Sequence, residues 1–433
     1  MKQSACILAA ICTSLSLSIH AASVVTMDTN QILLIDCKKV FPIGFTRPPP
    51  PDAKAPNGKN GIEELRDAGA TFLRTGAWGG SWNDETIAVE QKFEDAAAKY
   101  GMHCWLFLRE LGAVPDGDAK REAMLRKVIN TFKDHPGLGV WKGVDEPEWG
   151  KQPIPPMLRA RAIIRELDPN HPLAATHAPH GTVQSLRPYN ATADITGADI
   201  YPIGYPPGTH SLETNKEISM VGDYTRRMME VAEGKMPVWM ILQVAWSGVV
   251  KPGKTLRFPT FPEERFMVYQ AIINGARGII FFGGNIEKAM NERDAKLGWN
   301  WTFWDRVLRR IVEEIGDKGP LYPALIAPNT PLRGSTGDSP VPFGDPPNGT
   351  IRCNAKDVEF CVRHTGEHLF LLACKRGPGS VEVTFSGLPT TLSTGTVLYE
   401  EPRQVQAHQG TFSDWFAPFE VHVYRFSNSA PPR

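Results

Sequence analysis

Two adjacent acids and a proline, Asp145-Glu146-Pro147, end the apolar run Leu138–Val144, LGVWKGV. A short continuous apolar run reads as a buried strand. A carboxyl placed where a parallel strand leaves its sheet stands where α/β barrels keep their chemistry. The neighbouring Asp145 and partial desolvation would both raise the Glu146 pKa, as proton donation requires. The plainer role for the same residues is a loop salt bridge or a helix N-cap ahead of Pro147. General acid catalysis by one carboxyl often works with a second carboxyl opposite it, so the question becomes what faces Glu146.

The elements that would position these acids alternate regularly. Eight short apolar runs, in the regions of Phe41, Thr71, Met102, Leu138, Leu173, Ile195, Val238 and Gly278, are each followed by helical sequence. The expected helices are Ile62–Ala68, Thr86–Tyr100, Asp118–Phe132, Pro156–Leu167, Thr182–Leu186, Asn215–Glu233, Pro262–Asn274 and Asp305–Ile315. Continuous apolar strands alternating with amphipathic helices imply a parallel sheet covered by helices. Eight such units match an α/β fold of the (β/α)8 TIM-barrel type, which takes about 250 residues. An open doubly wound sheet would place a glycine-rich loop after its first strand, and RPPPPDA stands there instead. A hairpin over Val24–Phe45 precedes the barrel. After Gly319 the texture changes to short alternating runs separated by glycine turns, a small all-β antiparallel sandwich. The expected organisation is therefore a signal peptide over 1–22, a barrel over 23–319 and a β-sandwich domain over 320–433.

The residues just past each strand would share one rim. They are Arg74, Glu110, Asp145 with Glu146, His177 with His180, Asp199 with Tyr201, Gln243 with Trp246, and Asn285. Trp78, Trp82 and Trp149 join Tyr201 and Trp246 as rings on which a sugar could stack, core or loop packing being the alternative for each. Such a rim is polar, acidic and aromatic and suits a neutral polyhydroxylated ligand. It lacks the clustered Lys and Arg of a phosphate site.

The stretch GLGVWKGVDEPE resembles the fourth strand of clan-A (β/α)8 glycoside hydrolases, in which a Glu at that strand's end is the acid/base. Asp199-Ile200-Tyr201-Pro202 is similar to the segment after their sixth strand, Pro237–Trp246 to their seventh, and Phe266–Asn285 to the helix and strand that close the barrel. The tail FSDWFAPFEVHVYRF resembles the last strands of the β-sandwich appended to many of these enzymes. The resemblance implies a hydrolase of O-glycosidic bonds with Glu146 as general acid and a carbohydrate as its partner. In that clan the nucleophile is a Glu ending the seventh strand, and here Gln243 takes its place; an amide cannot form the covalent intermediate. Three explanations stand. Asp199 or Glu110 could activate water in an inverting reaction, with carboxyls about 6.5–9.5 Å apart. Glu263 or Glu264 could reach the site, although both look like helix-start acids. Or the barrel could bind glycans without cleaving them. A deacetylase- or lyase-like reaction through His177 or His180 is a further, weaker alternative.

Composition narrows the classes further. The 433 residues carry 47 basic and 47 acidic side chains, so no net field draws the chain to nucleic acid or an anionic membrane. Lys2, the apolar run Ala5–Ile19 and the ending Ala21-Ala22 have the form of an export signal, which predicts a secreted or periplasmic protein. No later segment is long and apolar enough for a membrane span. Cys6 and Cys12 would leave with the signal, and Cys37, Cys104, Cys353, Cys361 and Cys374 would remain. One bridge is conceivable among the last three, and Cys104 in HCWLFL reads as a buried small hydrophobe. No spacing resembles a metal knuckle and His177 with His180 lack a third ligand, so neither metal nor cofactor is expected.

Overall fold

A computed structural model of the chain describes residues 22–77, 80–244, 257–283, 289–328, 351–366 and 368–427. The signal segment up to residue 21, Trp78, Trp246 and Asn285 lie outside the described residues. Three short antiparallel strands, β1 (Val25–Met27), β2 (Leu33–Ile35) and β3 (Lys38–Val40), come first.

The barrel strands follow: β4 (Ile43–Phe45), β5 (Phe72–Gly76), β6 (His103–Phe107), β7 (Leu138–Asp145), β8 (Leu173–Thr176), β9 (Thr196–Ile200), β10 (Val238–Gln243) and β11 (Gly278–Phe282). Pairing is parallel throughout, and β11 returns to β4. The remaining seam, β8 against β9, is closed by two parallel bridges, Ala174 with Ile195 and His177 with Ala198. The (β/α)8 expectation is met. Helices α1 (Gly61–Ala68), α2 (Asp84–Tyr100), α3 (Ala119–Phe132), α4 (Ile154–Leu167), α5 (Val183–Leu186), α6 (Met220–Ala232) and α7 (Phe261–Ile273) fill the connections. Their ends are encoded locally. Asn60 and Asn83 accept from the first free amides of α1 and α2, and Gly69 and Gly101 end those helices in the left-handed conformation.

Two expected helices differ in extent. The one sought from Asn215 begins at Met220, because the Asn215 amide is spent on Ser219 and Asp223 ahead of the first turn. The run expected from Asp305 is helical from Trp301, with a wider turn over Trp304–Leu308 before Arg309–Ile315.

Alternation along the strands sorts the barrel interior into layers. Phe72, Trp105, Val140, Ala174, Ile195, Trp239, Ile241 and Ile280 form an apolar floor, onto which Val25, Leu33 and Ile35 of the N-terminal sheet pack. Two residues further along their strands stand Arg74, Lys142 and Thr176, with Asp199 four beyond Ile195. The barrel is thus dry below and polar above. Gly197 is required at this level, since a Cβ there would come within 1.9 Å of the Trp239 carbonyl oxygen of β10.

Beyond the barrel, β12 (Arg352–Cys353), β15 (Val381–Ser386) and β18 (Thr411–Phe416) make one antiparallel sheet. A second contains β13 (Val358–Thr365), β14 (His368–Lys375), β19 (Val421–Ser427), β16 (Thr394–Val397) and β17 (Gln404–Gln406). They enclose a core that includes Leu369, Leu371, Phe385, Phe412 and Phe426. The other face of β14 and β19 joins the barrel core through Phe370, Leu372, Cys374 and Val423. Buried Arg265 of α7 ties the two, with Nε on Glu314 at 2.8 Å and Nη1 on the Val421 carbonyl at 2.9 Å.

All five described cysteines are free. Strand register explains why no bridge forms, since Cys361 faces Leu372 while Cys374 faces Glu359, a diagonal too long for a disulfide.

Candidate functional site

Strand β7 stops because Glu146 adopts a left-handed backbone, φ 45°, an arrangement uncommon outside glycine and worth about 1–3 kcal/mol of strain. Its amide still pairs with the Thr176 carbonyl of β8 at 2.9 Å, so the reversal is anchored. The turn presents a half-buried Glu146 at the carboxyl end of the barrel.

Asp199 approaches from β9. One carboxylate oxygen from each of Glu146 and Asp199 and one ring nitrogen of His210 all lie within 4.8 Å of one another. His210 Nε2 is 3.8 Å from Asp199 Oδ2, and the His210 ring lies 4.2 Å from that of Tyr201. Burial raises both carboxyls above their ordinary range; the charge of Asp145 adds to the rise at Glu146, which a hydrogen bond from Asp199 partly offsets, and the charges of Glu146 and Asp145 add to the rise at Asp199. Contact with the Tyr201 hydroxyl opposes the rise at Asp199 without cancelling it. Two carboxyls this close hold one proton between them over a wide pH range.

Lys142 stands below the pair. It is wholly buried, donates from Nζ to Asp145 Oδ1 at 2.5 Å, and lies 4.3 Å from the centre of the Phe107 ring. Burial lowers its pKa to about 8. At Asp145 desolvation pushes upward, but the charges of Lys142 and Arg74 outweigh it and hold the group below its usual value. Arg74 is buried 5.0 Å from the Phe107 ring centre. Burial lowers the His177 pKa to about 4, with Lys142 adding to the effect, so this imidazole is neutral. Two cations therefore face Asp145 and the proton-sharing pair, with Arg47 near Arg74.

A row of rings leads outward from this point. Phe282 stacks on Tyr201 at 5.0 Å and Tyr201 meets His210. His180 follows at 6.4 Å from His210, and Trp149 stacks on His180 at 4.1 Å and 21°. Trp149 is 55% exposed, and Tyr205 and Leu212 on the loop after β9 are more open still.

The structure thus brings Glu146, Asp145, Asp199, Arg74 and Tyr201 together, with His177 and His180 beside them. Glu110 is used differently: its Oε1 accepts from the Trp82 amide at 2.8 Å and fixes the loop after β5. Gln243 is fully buried, and both ends of its amide are spent on the Ile203 backbone, at 2.8 and 2.6 Å. Glu263 caps α7 and pairs with Arg257 at 2.6 Å, while Glu264 is buried in that helix. Two members of the site escaped the sequence reading. Lys142 had a signal, a lone cation inside the apolar strand LGVWKGV. His210 had none, because it lies on a loop ten residues past the end of β9.

No family model and no curated protein matches the sequence. Solved structures do. A family 5 glycoside hydrolase from Bacteroides vulgatus superposes with a TM-score of 0.60 at 12% identity, over 94% of this chain and 93% of that one. Another glycoside hydrolase gives 0.59 at 13% identity, over 95% and 98%. The alpha-amylase of Geobacillus thermoleovorans, solved with acarbose, gives 0.51 at 9% identity, over 94% and 100%. At these identities the likeness is one of fold: a (β/α)8 barrel followed by antiparallel β-sheets, the architecture these glycoside hydrolases use.

Proposed function

We propose that the protein is an exported glycoside hydrolase acting on a neutral oligo- or polysaccharide, with Glu146 and Asp199 as its catalytic carboxyls. The observation that carries this reading is the Glu146–Asp199 pair, held at the carboxyl end of the barrel strands with oxygens within 4.8 Å. Hydrolysis of a glycosidic bond requires one protonated and one ionised carboxyl together. A pair sharing a single proton supplies both. The row of rings at the mouth favours a sugar, and the run Lys2 to Ala22 supports export.

The spacing favours retention over inversion, one of the alternatives left open by the sequence, because an inverting pair needs about 6.5–9.5 Å to seat its water. Glu146 gives its proton to the glycosidic oxygen while an Asp199 oxygen bonds to the anomeric carbon, and the leaving sugar departs with that proton. In the second half, Glu146 takes a proton from water, whose oxygen displaces Asp199. Incubation with a panel of β- and α-linked oligosaccharides tests this, with the anomeric configuration of the first product read by NMR. Retained product, lost in Glu146→Gln and Asp199→Asn, supports it. Inverted product refutes the assignment of Asp199. Saturable binding of a glycan recovered intact would make the barrel a binding protein instead.

A further inference from the structure

A second cluster of ligand-type side chains lies on the opposite side of the barrel wall, between α2 and β6. Glu90 and Glu94 are one helical turn apart on α2 and face Cys104 of β6. All three are buried, and one ligand atom from each lies within 4.8 Å of the others. Glu90 is oriented by two donors, the Thr75 hydroxyl at 2.5 Å and the Gly76 amide at 2.6 Å. Each of its oxygens keeps a lone pair free.

Glu94 is the anomaly. It has no solvent exposure, and among the described residues no group outside the cluster donates to its oxygens; its hydrogen-bond neighbour is the Cys104 thiol within the cluster. Ionised, it would be a buried charge with only the weak Cys104 thiol as donor; protonated, its nearest acceptor would be the Glu90 carboxylate of the same cluster. Either form costs about 1–3 kcal/mol or more. Gly137 belongs to the same arrangement, since a Cβ there would sit 2.8 Å from Glu94 Oε2. At the outer edge His135 is slightly exposed, with Nδ1 3.7 Å from Glu94 Oε2 and Nε2 3.1 Å from the Asp95 carboxylate. A histidine held by a carboxylate through one nitrogen and turned toward a cluster through the other is the usual support of a metal-bound imidazole.

We propose that Glu90, Glu94, Cys104 and His135 bind a divalent transition-metal ion of the zinc type. Bonds of about 2.0–2.3 Å to oxygen, nitrogen and sulfur would draw the three clustered atoms and His135 Nδ1 in toward a common centre. His135 would exchange its present acceptance from the Gly137 amide, at 3.0 Å, for the ion. Binding releases the Cys104 thiol proton to solvent, along with any proton held by the two acids, so affinity rises with pH. The ion would pin α2 to β6 and to the loop before β7, far from any role in sugar chemistry.

The test needs no substrate. The full-length chain is dialysed against zinc and then metal-free buffer, its metal content is measured, and cobalt is substituted for zinc. About one equivalent per chain and a thiolate-to-cobalt charge-transfer absorption are expected. Cys104→Ser should abolish the absorption and Glu94→Gln the stoichiometric zinc. His135→Ala, at the surface edge where folding is least at risk, should weaken zinc binding at least tenfold. Absence of stoichiometric metal in the folded wild-type chain overturns the proposal. So does an absorption that survives Cys104→Ser, which would belong to the exposed Cys37.

Discussion

Glu146 and Asp199 leave barrel strands that are not neighbours, β7 and β9, yet their carboxylate oxygens come within 4.8 Å across the mouth. The strand between them, β8, contributes the small inward residues Ala174 and Thr176, and the left-handed turn at Glu146 carries its side chain over them. Replacing either acid by its amide removes half of a proton-sharing pair. Glu146→Gln should lower kcat by about 10²–10⁴-fold. Small-anion rescue of a glycine variant at each position, with the product's anomer read, separates the two roles: azide captured as a glycosyl azide of inverted configuration marks Asp199 as nucleophile.

The pH profile should respond in opposite directions to two neighbouring substitutions. Activity falls on the basic side when the pair loses its shared proton, and that limb lies above the ordinary carboxylate range because both pKa values are raised. The charge of Asp145 raises Glu146, and that of Lys142 lowers it. Asp145→Asn should therefore move the limb to lower pH and Lys142→Met to higher pH. Plots of kcat/KM against pH check this, and two shifts of the same sign would contradict the charge arrangement described.

Gln243→Glu should not create a nucleophile. The carboxylate would keep the bond from the Ile203 amide but could not donate to the Ile203 carbonyl, as the native amide does at 2.6 Å. A loss of about 1–3 kcal/mol in stability is expected, read from denaturant melts, with no gain in turnover.

Trp149→Ala should weaken binding of oligosaccharides by up to about tenfold, the range of one stacking contact, while leaving hydrolysis of an activated aryl glycoside nearly unchanged. Trp149 stands three residues past Glu146 and is 55% exposed, with one face on His180. An equal loss on both substrates would remove Trp149 from that role.

The β-sheet domain should lose stability in mild alkali. Burial depresses the His422 pKa, but Glu400, at 2.6 Å, and Glu420, at 3.4 Å, outweigh it and raise the group to about 9. A raised histidine contributes stability that is complete below its unfolded value of 6.5 and disappears as pH climbs through about 9. The contribution is about 3 kcal/mol at most, and His422→Gln should flatten the pH dependence of the melting midpoint between those limits.

The barrel was legible in the sequence because its beat is local. Asparagine caps, glycine stops and runs such as Met102–Leu108 each declare an element without help from distant residues. The acids were legible for the same reason, being placed at strand ends. Their use was not. Nothing in DEPEW distinguishes the open Glu146 from Glu110, whose carboxylate is claimed by a backbone amide 28 positions earlier. Nor does VWMILQ show that the Gln243 amide turns to Ile203. Partnership across loops is a tertiary fact, and His210 is the clearest case. It reaches the pair only because the loop after β9 folds back over it.

The seam between barrel and sheets also has a practical side. Arg265 sends one nitrogen to the Val421 carbonyl, and Phe370, Leu372 and Val423 complete the hydrophobic layer over α7. A chain cut near residue 320 would expose that layer and leave a buried guanidinium short of an acceptor. The barrel is therefore expected to be insoluble when expressed alone, and any fusion or shortening must carry the last strand, Val421–Ser427, with it.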